Sequence, residues 1–252
     1  MNLLTIADGF GDSAAVPPWY PDYIKWPEII KLMTKNITVT NLSRYGAGNE
    51  YIIYCLKNNI TDKQAVLLQW AVPKRLDLVL SHSEQMQSYW QHQIAVDPVY
   101  SNNIVTVGNN KIWLSSATES TAVKEYHQKY IGKEQHRLRS LLYIDYAKLL
   151  LANIQHGFLL TQSSAYLEPA VNEFTHWHWH EKFQGMCEFR HVSEYADLDL
   201  GLVQPIPLIH FDFVRKFVQP RFDLPWRSSR EISAIESMLF RKYKESVARR
   251  PK

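Results

Sequence analysis

The sequence predicts an α/β fold, a three-layer α/β/α sandwich built on about five parallel strands. Three β-prone apolar runs, at 3–7, 37–42 and 65–70, alternate with segments of helical periodicity. Such alternation is typical of βαβ units and of a parallel sheet. The third run is continuously apolar, as expected for a strand that is covered on both faces.

We expect one α/β domain over residues 1–227, followed by a basic C-terminal helix over 228–252. A chain of 252 residues can bury a sizeable core. The sequence has no apolar run long enough to cross a membrane and no secretion signal, so we expect no membrane partner. Cys55 and Cys187 are too few for a disulfide framework or a zinc site. We therefore expect reduced cysteines, no metal and no cofactor.

Local signals mark the helices of the first third. A helix is expected to begin near Trp26 and Pro27, because proline suits the first helical position. A second helix is expected after the glycine-rich segment 43–49, and it carries Ile52, Ile53, Cys55 and Leu56.

The middle of the chain is less regular. Short strand-like pieces at 104–107 and 111–114 lie within a long stretch from about 73 to 120. Structureless loops of that length are rare in compact domains, so we expect an inserted lobe there.

A long helix is expected over residues 134–155. It places Leu138, Leu142 and Leu149 at helical spacing, and Gly157 is the predicted C-cap. A strand is expected at 158–162.

A short helix near 210–218 and a last helix complete the predicted fold. Ser228 and Glu231 have the spacing of a capping box, which starts a helix. One face of that helix is apolar and comprises Ile232, Ile235, Leu239, Tyr243 and Val247.

Positive charge is concentrated at the C-terminal end. The whole chain carries a formal charge of +3, but from Phe213 onward eleven Lys and Arg face only four Asp and Glu. A basic segment can contact nucleic acid or an acidic protein surface. A solvated helix face would have the same composition, and both interpretations stay open.

Two turns carry the residues of a candidate site. The first predicted strand ends in Gly11, Asp12 and Ser13, which would place a hydroxyl at the carboxyl edge of the sheet, where ligands bind. The second strand leads into Asn41, four further residues and Gly46. Ordinary glycine turns would show the same two patterns.

These two blocks resemble those of the SGNH (GDSL-type) hydrolases. The resemblance implies an SGNH or flavodoxin-like fold, with Ser13 at the nucleophile position and the Gly46 N–H as an oxyanion donor. The third block departs from the usual Gly-x-Asn-Asp. Here the chain runs from Trp70 to Arg75 and Asp77, and resembles the variant segment of SGNH-like proteins in tailed bacteriophages.

The fourth block resembles the Asp-x-x-His-Pro-x-Pro-x-x-His segment, with Pro205, Pro207 and His210 in place. The resemblance puts Gly201 at the catalytic acid position and Gln204 at the base position. An amide has no usable pKa for general base catalysis near neutral pH. His210 matches the second histidine, which is not the base in that family.

The most unusual local pattern lies outside these blocks and comprises His176, Trp177, His178, Trp179 and His180. On a strand, the three histidines would share one face and the two tryptophans the other. Such a surface fits a ligand or protein contact, while ordinary packing and a transition-metal site are alternatives. Alternate strand residues lie about 6–7 Å apart, which is a poor bite for one ion.

The resemblance implies a non-catalytic, SGNH-like structural or binding protein, a capsid or tail component of a tailed bacteriophage. It would then act in the virion or the host cytoplasm, as an oligomer with protein partners. One alternative is an active serine ester hydrolase or glycan deacetylase with Ser13 as nucleophile. Another is a pseudoenzyme that binds carbohydrate in the old cleft.

Overall fold

The computed structural model of the chain has a mixed α/β fold with a parallel sheet, which confirms the coarse prediction from the sequence. It describes residues 1–7, 24–44, 47–71, 77–79, 104–107, 110–114, 133–160, 176–178 and 207–249. The strands are β1 Asn2–Ile6, β2 Thr38–Asn41, β3 Ala65–Gln69, β4 Asp77–Val79, β5 Ile104–Val107, β6 Asn110–Leu114, β7 Gln155–Leu160 and β8 His176–His178. The helices are α1 Trp26–Met33, α2 Asn49–Asn59, α3 Lys133–Leu150, α4 Pro207–Phe213 and α5 Ser229–Ala248. A π-helical stretch, Val214–Val218, directly continues α4.

The main sheet has the strand order β2-β1-β3-β7-β8, and every neighbouring pair is parallel. Strands β4, β6 and β5 form a second sheet, which is antiparallel. The chain moves outward from β1 to β2 and then returns past β1 to β3. The strand order therefore reverses between β1 and β3, which is where open α/β sheets bind ligands.

The buried apolar side chains form two core clusters, and each cluster joins strands of the main sheet to helices. One core cluster joins Leu4, Ile6, Val66 and Phe158 of the strands to residues of α2 and α3. The other joins Leu3, Leu67 and Leu159 to residues of α1, α4 and α5. This division follows from the alternation of side chains along each strand.

Several predicted elements are confirmed. Helix α1 begins at Trp26 with Pro27 in its first turn, and Glu28 Oε2 accepts a hydrogen bond from Lys25 N at 3.2 Å. The capping box of α5 is present, since Glu231 Oε2 accepts hydrogen bonds from Ser228 N at 2.9 Å and Ser228 Oγ at 2.7 Å. Cys55 is a buried free thiol, and burial raises its pKa to about 11.

The predicted end of the long helix is wrong. Helix α3 stops at Leu150, and Gly157 is not its C-cap but lies within β7, where it pairs with Leu67 of β3.

The spacing of leucines on α3 is real, but these leucines lie on the outer side. Leu138, Leu142 and Leu149 are exposed, whereas Ile144 and Ala147 belong to the core. Within the described residues, no helix combines the length and apolar character needed to cross a membrane.

Candidate functional site

The carboxyl ends of the parallel strands meet at one edge of the main sheet. Here the segments after β1 and β2 leave side by side, because Arg44 N donates to the Ala7 carbonyl at 3.0 Å. One step earlier, Leu42 N donates to the Thr5 carbonyl at 2.9 Å. The two segments predicted to carry Ser13 and Gly46 therefore start from adjacent points.

Four predicted site residues, Ser13, Gly46, Gly201 and Gln204, lie outside the described residues. The described chain resumes at Ala47, directly after Gly46, and at Pro207, three residues after Gln204. The proximity of Ser13 to Gly46 and the roles of all four residues stay predictions.

His210 lies in α4 and is fully buried. Desolvation, together with the positive charge of the equally buried Lys25, lowers the pKa of His210 well below its usual value. Helix α4 packs on α1, so this imidazole belongs to the interior between helix and sheet. Because the pKa of His210 lies well below its usual value, this buried imidazole is neutral near neutral pH.

The histidine and tryptophan run is a strand in its first half. Residues His176, Trp177 and His178 form β8 at the edge of the main sheet, in register with Phe158, Leu159 and Leu160. Trp179 and His180 lie outside the described residues. Because β8 is parallel to its neighbour, the run leads toward the same carboxyl edge as β1 and β3. In the described part of the chain, no group of three or more His, Cys, Asp or Glu could hold a metal ion.

The start of α2 is held by the carboxylate of Asp77. Asp77 Oδ2 accepts hydrogen bonds from Gly48 N at 2.7 Å and from Tyr51 N at 3.0 Å. These amides belong to the first turn of the helix, which has no intrahelical acceptor for them, and the negative charge also suits the positive helix end. A Cβ on Gly48 would lie 2.9 Å from Asp77 Oδ2, so a side chain at this position would displace the carboxylate from the helix start.

Asn49 joins the same helix start to the chain after β3. Its Oδ1 accepts from Ala71 N at 2.8 Å, and its Nδ2 donates to Ser140 Oγ at 3.0 Å and to the Ala71 carbonyl at 3.4 Å. Asn49 and Ser140 are both buried. The side chain amide thus satisfies backbone groups that would otherwise be costly to bury.

Glu50 extends the network to α3. Its Oε1 lies 2.7 Å from Arg139 Nε, and its Oε2 accepts from Asp77 N at 3.3 Å. Tyr143 donates its hydroxyl to Glu50 Oε1 at 3.4 Å. Burial raises the pKa of Glu50, while the Arg139 charge and these hydrogen bonds oppose that rise. His136 Nδ1 lies 3.3 Å from Arg139 Nη2.

This network was missed by the motif analysis, except for Asp77, which the third block singled out without a role. The structure gives Asp77 a role, because its carboxylate connects the third sequence block to the helix start that follows the glycine-rich second block. Asn49 and Glu50 follow that block directly, and the position of two polar residues just before the apolar run 51–56 is a usable signal. Arg139 and Ser140 have no comparable signal in the sequence, because their partners are about ninety residues away in the chain.

The described polar residues at this edge hold the start of α2 in place. Asp77 occupies the Gly48 and Tyr51 amides, so those donors are not available to an external anion. Three histidine side chains are described in the structure. His136 lies beside Arg139, His156 lies in the first half of β7, and His210 lies in the core. None of these three lies exposed at the carboxyl edge.

The fold and the edge together define a mixed α/β protein with a parallel sheet and a buried polar network at the strand ends. No known protein family and no curated protein matches the chain. The likeness to SGNH hydrolases therefore depends on the motifs alone.

Proposed function

We propose that this chain is a non-catalytic, SGNH-like structural or binding protein, a capsid or tail component of a tailed bacteriophage. The observation that carries the proposal is the burial of His210, the one histidine that the fourth block supplies in the described chain. The resemblance puts Gly201 and Gln204 at the acid and base positions, so the block has no general base at the position where the family carries it.

The network at the start of α2 supports the binding half of the proposal. Asp77, Asn49 and the Glu50–Arg139 pair fix the segment that follows Gly46, at a cost in buried polar groups. Buried charge pairs seldom add stability over apolar packing, so their retention favours a role in shaping this edge. A sheet edge that is fixed in this way and lacks a base suits ligand or partner binding, including carbohydrate binding.

The finer fold belongs to the same proposal. Core clusters on both faces of the main sheet support a three-layer α/β/α sandwich. The antiparallel sheet of β4, β6 and β5 supports an inserted lobe within about 73–120. The virion assignment, and with it a location in the virion or host cytoplasm, is supported only by the resemblance of the second and third blocks.

The basic surface of α5 supplies a partner site in this proposal. Arg230, Arg241, Lys244 and Arg249 are exposed, whereas Glu231 lies 3.0 Å from Lys35 and Glu236 lies 3.2 Å from Arg215. An acidic protein surface or nucleic acid inside an assembly would fit this charge. Because Ile232 and Leu239 of α5 are core residues, deletion of 228–252 would remove part of the core as well as the charge.

The test is hydrolysis of p-nitrophenyl acetate by the purified chain and by Ser13→Ala. We expect both to show the same low background rate, because a serine hydroxyl without an adjacent base is a poor nucleophile. Loss of base and acid in serine hydrolases costs about 10⁴-fold to 10⁶-fold in rate. Ser237→Ala, at an exposed position of α5, is the matched control.

Turnover well above background that Ser13→Ala abolishes and Ser237→Ala preserves would contradict the proposal and establish the hydrolase alternative. The double variant Gly201→Asp with Gln204→His adds a positive arm. Weak Ser13-dependent activity in that variant would show that the cleft keeps the SGNH arrangement.

A further inference from the structure

Helix α5 carries a row of cations on the side that faces away from the core. Arg230, Arg241 and Lys244 are all exposed, and their spacing places them within about 60° of one another around the helix axis. The buried Ile232 and Leu239 lie on the opposite side. The three cations therefore form one basic stripe, which extends over about 21 Å from Arg230 to Lys244.

The nearby acids that form ion pairs do so away from the basic stripe. Glu231 lies 3.0 Å from Lys35 and 3.4 Å from Arg227, and Glu236 lies 3.2 Å from Arg215, measured between the charged atoms. In the part of the chain that the structure describes, no carboxylate forms an ion pair with a cation of the stripe. The stripe therefore keeps three positive charges for a partner.

The side chains between these cations are mostly small. Ala234, Ser237 and Ala248 are exposed on the same side of α5, and Glu245 is the one acid among the described residues of that side. A run of exposed cations with small neighbours gives a surface that charge dominates.

The basic stripe also lacks the anchors of a protein interface. The large hydrophobic residues that are exposed in the described chain all lie on α3, and none lies on α5. The ring of the half-buried Phe240 lies below the Lys244 ammonium, 4.5 Å from ring centroid to Nζ. Protein partners depend on aromatic and apolar anchors, whereas phosphate backbones are bound by charge and hydrogen bonds.

We infer that the basic stripe of α5 binds the phosphodiester backbone of a nucleic acid duplex, without recognition of the bases. A duplex carries one negative charge per roughly 1.7 Å of its axis, and arginine pairs with phosphate through two parallel hydrogen bonds. Proteins that bind single strands stack the bases on aromatic side chains, and the stripe presents no exposed aromatic ring. A duplex is therefore the nucleic acid that this stripe fits.

The inference rests on the partner site of the proposed function, where it chooses between an acidic protein and a nucleic acid. It depends on α5 and not on Ser13. Hydrolysis that contradicts the proposed function would leave duplex binding measurable. Conversely, a chain that binds no duplex would leave the hydrolysis prediction intact.

Fluorescence anisotropy of a labelled DNA duplex of mixed sequence, titrated with the purified full chain, tests the inference. Three phosphate contacts predict a slope of about −2.7 for the logarithm of the binding constant against the logarithm of the salt concentration. The affinity should then fall about fortyfold between roughly 50 and 200 mM salt.

Three variants assign the binding to the stripe. Arg241→Gln should weaken binding about tenfold at about 50 mM salt and make the slope shallower by about 1. Lys57→Gln is the matched control, because it removes one exposed cation from α2 and should leave binding unchanged. Glu245→Gln should tighten binding about twofold to fivefold, because it removes the acid beside the stripe. Circular dichroism melting of each variant verifies that the fold is retained.

Two competitors identify the partner class. Polyglutamate represents an acidic protein surface, and a single strand of the same sequence represents the other form of nucleic acid. We expect the duplex to bind about tenfold more tightly than either one at equal total charge, because its charges are more closely spaced and it releases more counterions.

Four results would overturn the inference. These are no duplex binding by the parent chain at protein concentrations up to about 100 μM in low salt, equal losses for Arg241→Gln and Lys57→Gln, no gain for Glu245→Gln, and tighter binding of a competitor than of the duplex. In the last case polyglutamate would assign the stripe to an acidic protein, and the single strand would assign it to unpaired nucleic acid.

Discussion

Helices α3 and α5 belong to different core clusters and distribute polarity in opposite ways. The inner side of α5 is apolar, with Ile232 and Leu239 in the core, and its outer side carries Arg230 and Arg241. On α3, the inner side includes the buried polar residues His136 and Ser140. The outer side carries the exposed residues Leu138, Leu142 and Leu149. Helix α5 is thus amphipathic in the usual sense. Helix α3 departs from it, because part of its buried side is polar and part of its exposed side is apolar.

The difference teaches how each helix is held. Burial of apolar surface is nondirectional and secures α5 wherever its stripe meets the core. Helix α3 additionally depends on directional contacts, of which the Arg139–Glu50 pair is the central one. Directional contacts fix one position of α3 relative to α2, in which Leu138, Leu142 and Leu149 are exposed.

The largest effect is expected from Arg139→Met. This change removes the partner of the buried Glu50 carboxylate but keeps most of the aliphatic stem. An unpaired buried charge typically costs about 3–5 kcal/mol, so the free energy of unfolding should fall by about that amount. Urea denaturation followed by circular dichroism measures it.

The control for this change is Arg241→Met, at an exposed position of α5. Surface changes of this kind usually alter the free energy of unfolding by less than about 0.5 kcal/mol. Equal effects of Arg139→Met and Arg241→Met would mean that the network does not hold α3.

An intermediate effect on the free energy of unfolding is expected when a buried leucine of α5 is truncated, compared with an exposed leucine of α3. Leu239→Ala on α5 truncates a side chain that is 1% exposed, and should cost about 2–5 kcal/mol. Leu142→Ala on α3 truncates one that is 60% exposed, and should cost less than about 0.5 kcal/mol. A large cost for Leu142→Ala would place that residue inside the folded monomer.

The smallest effects should appear in the pH dependence of unfolding, with opposite signs. Hydrogen bonds from the Ser228 hydroxyl and backbone N–H, then Lys35, lower the pKa of Glu231 from 4.5 to about 2. The folded state therefore prefers the carboxylate, and stability present above pH 4.5 is lost as the pH falls toward 2. Glu231→Gln should remove that part of the acid sensitivity.

Glu50 behaves in the other direction. Burial raises its pKa above 4.5, so the folded state holds the proton more tightly than the unfolded state. Its contribution to stability then decreases as the pH rises from 4.5 through the raised pKa. Thermal melts over this pH range should show a shallower decrease in stability for Glu50→Gln than for the parent chain. Parallel stability curves for the parent and Glu50→Gln would contradict the raised pKa of Glu50.

The sequence by itself determined the features that local rules control. The proline at the start of α1, the capping box of α5 and the continuous apolar run of β3 each depend on neighbours within a few residues. The resulting alternation of strands and helices was enough to predict a parallel α/β sheet. The motifs likewise identified Asp77 as a residue of interest, although they gave it no role.

Only the tertiary structure decided which side of α3 faces inward and where Gly157 lies. A helical repeat of leucines predicts an apolar side of the helix but not whether that side is buried. In this protein the buried side of α3 carries Ile144, Ala147 and a set of polar side chains instead. Those polar residues can be buried only because Glu50 and Asn49 meet them from a helix about ninety positions earlier. Such pairing has no signal in local sequence, because the free energy of burying a polar group depends on a partner that only the folded chain supplies.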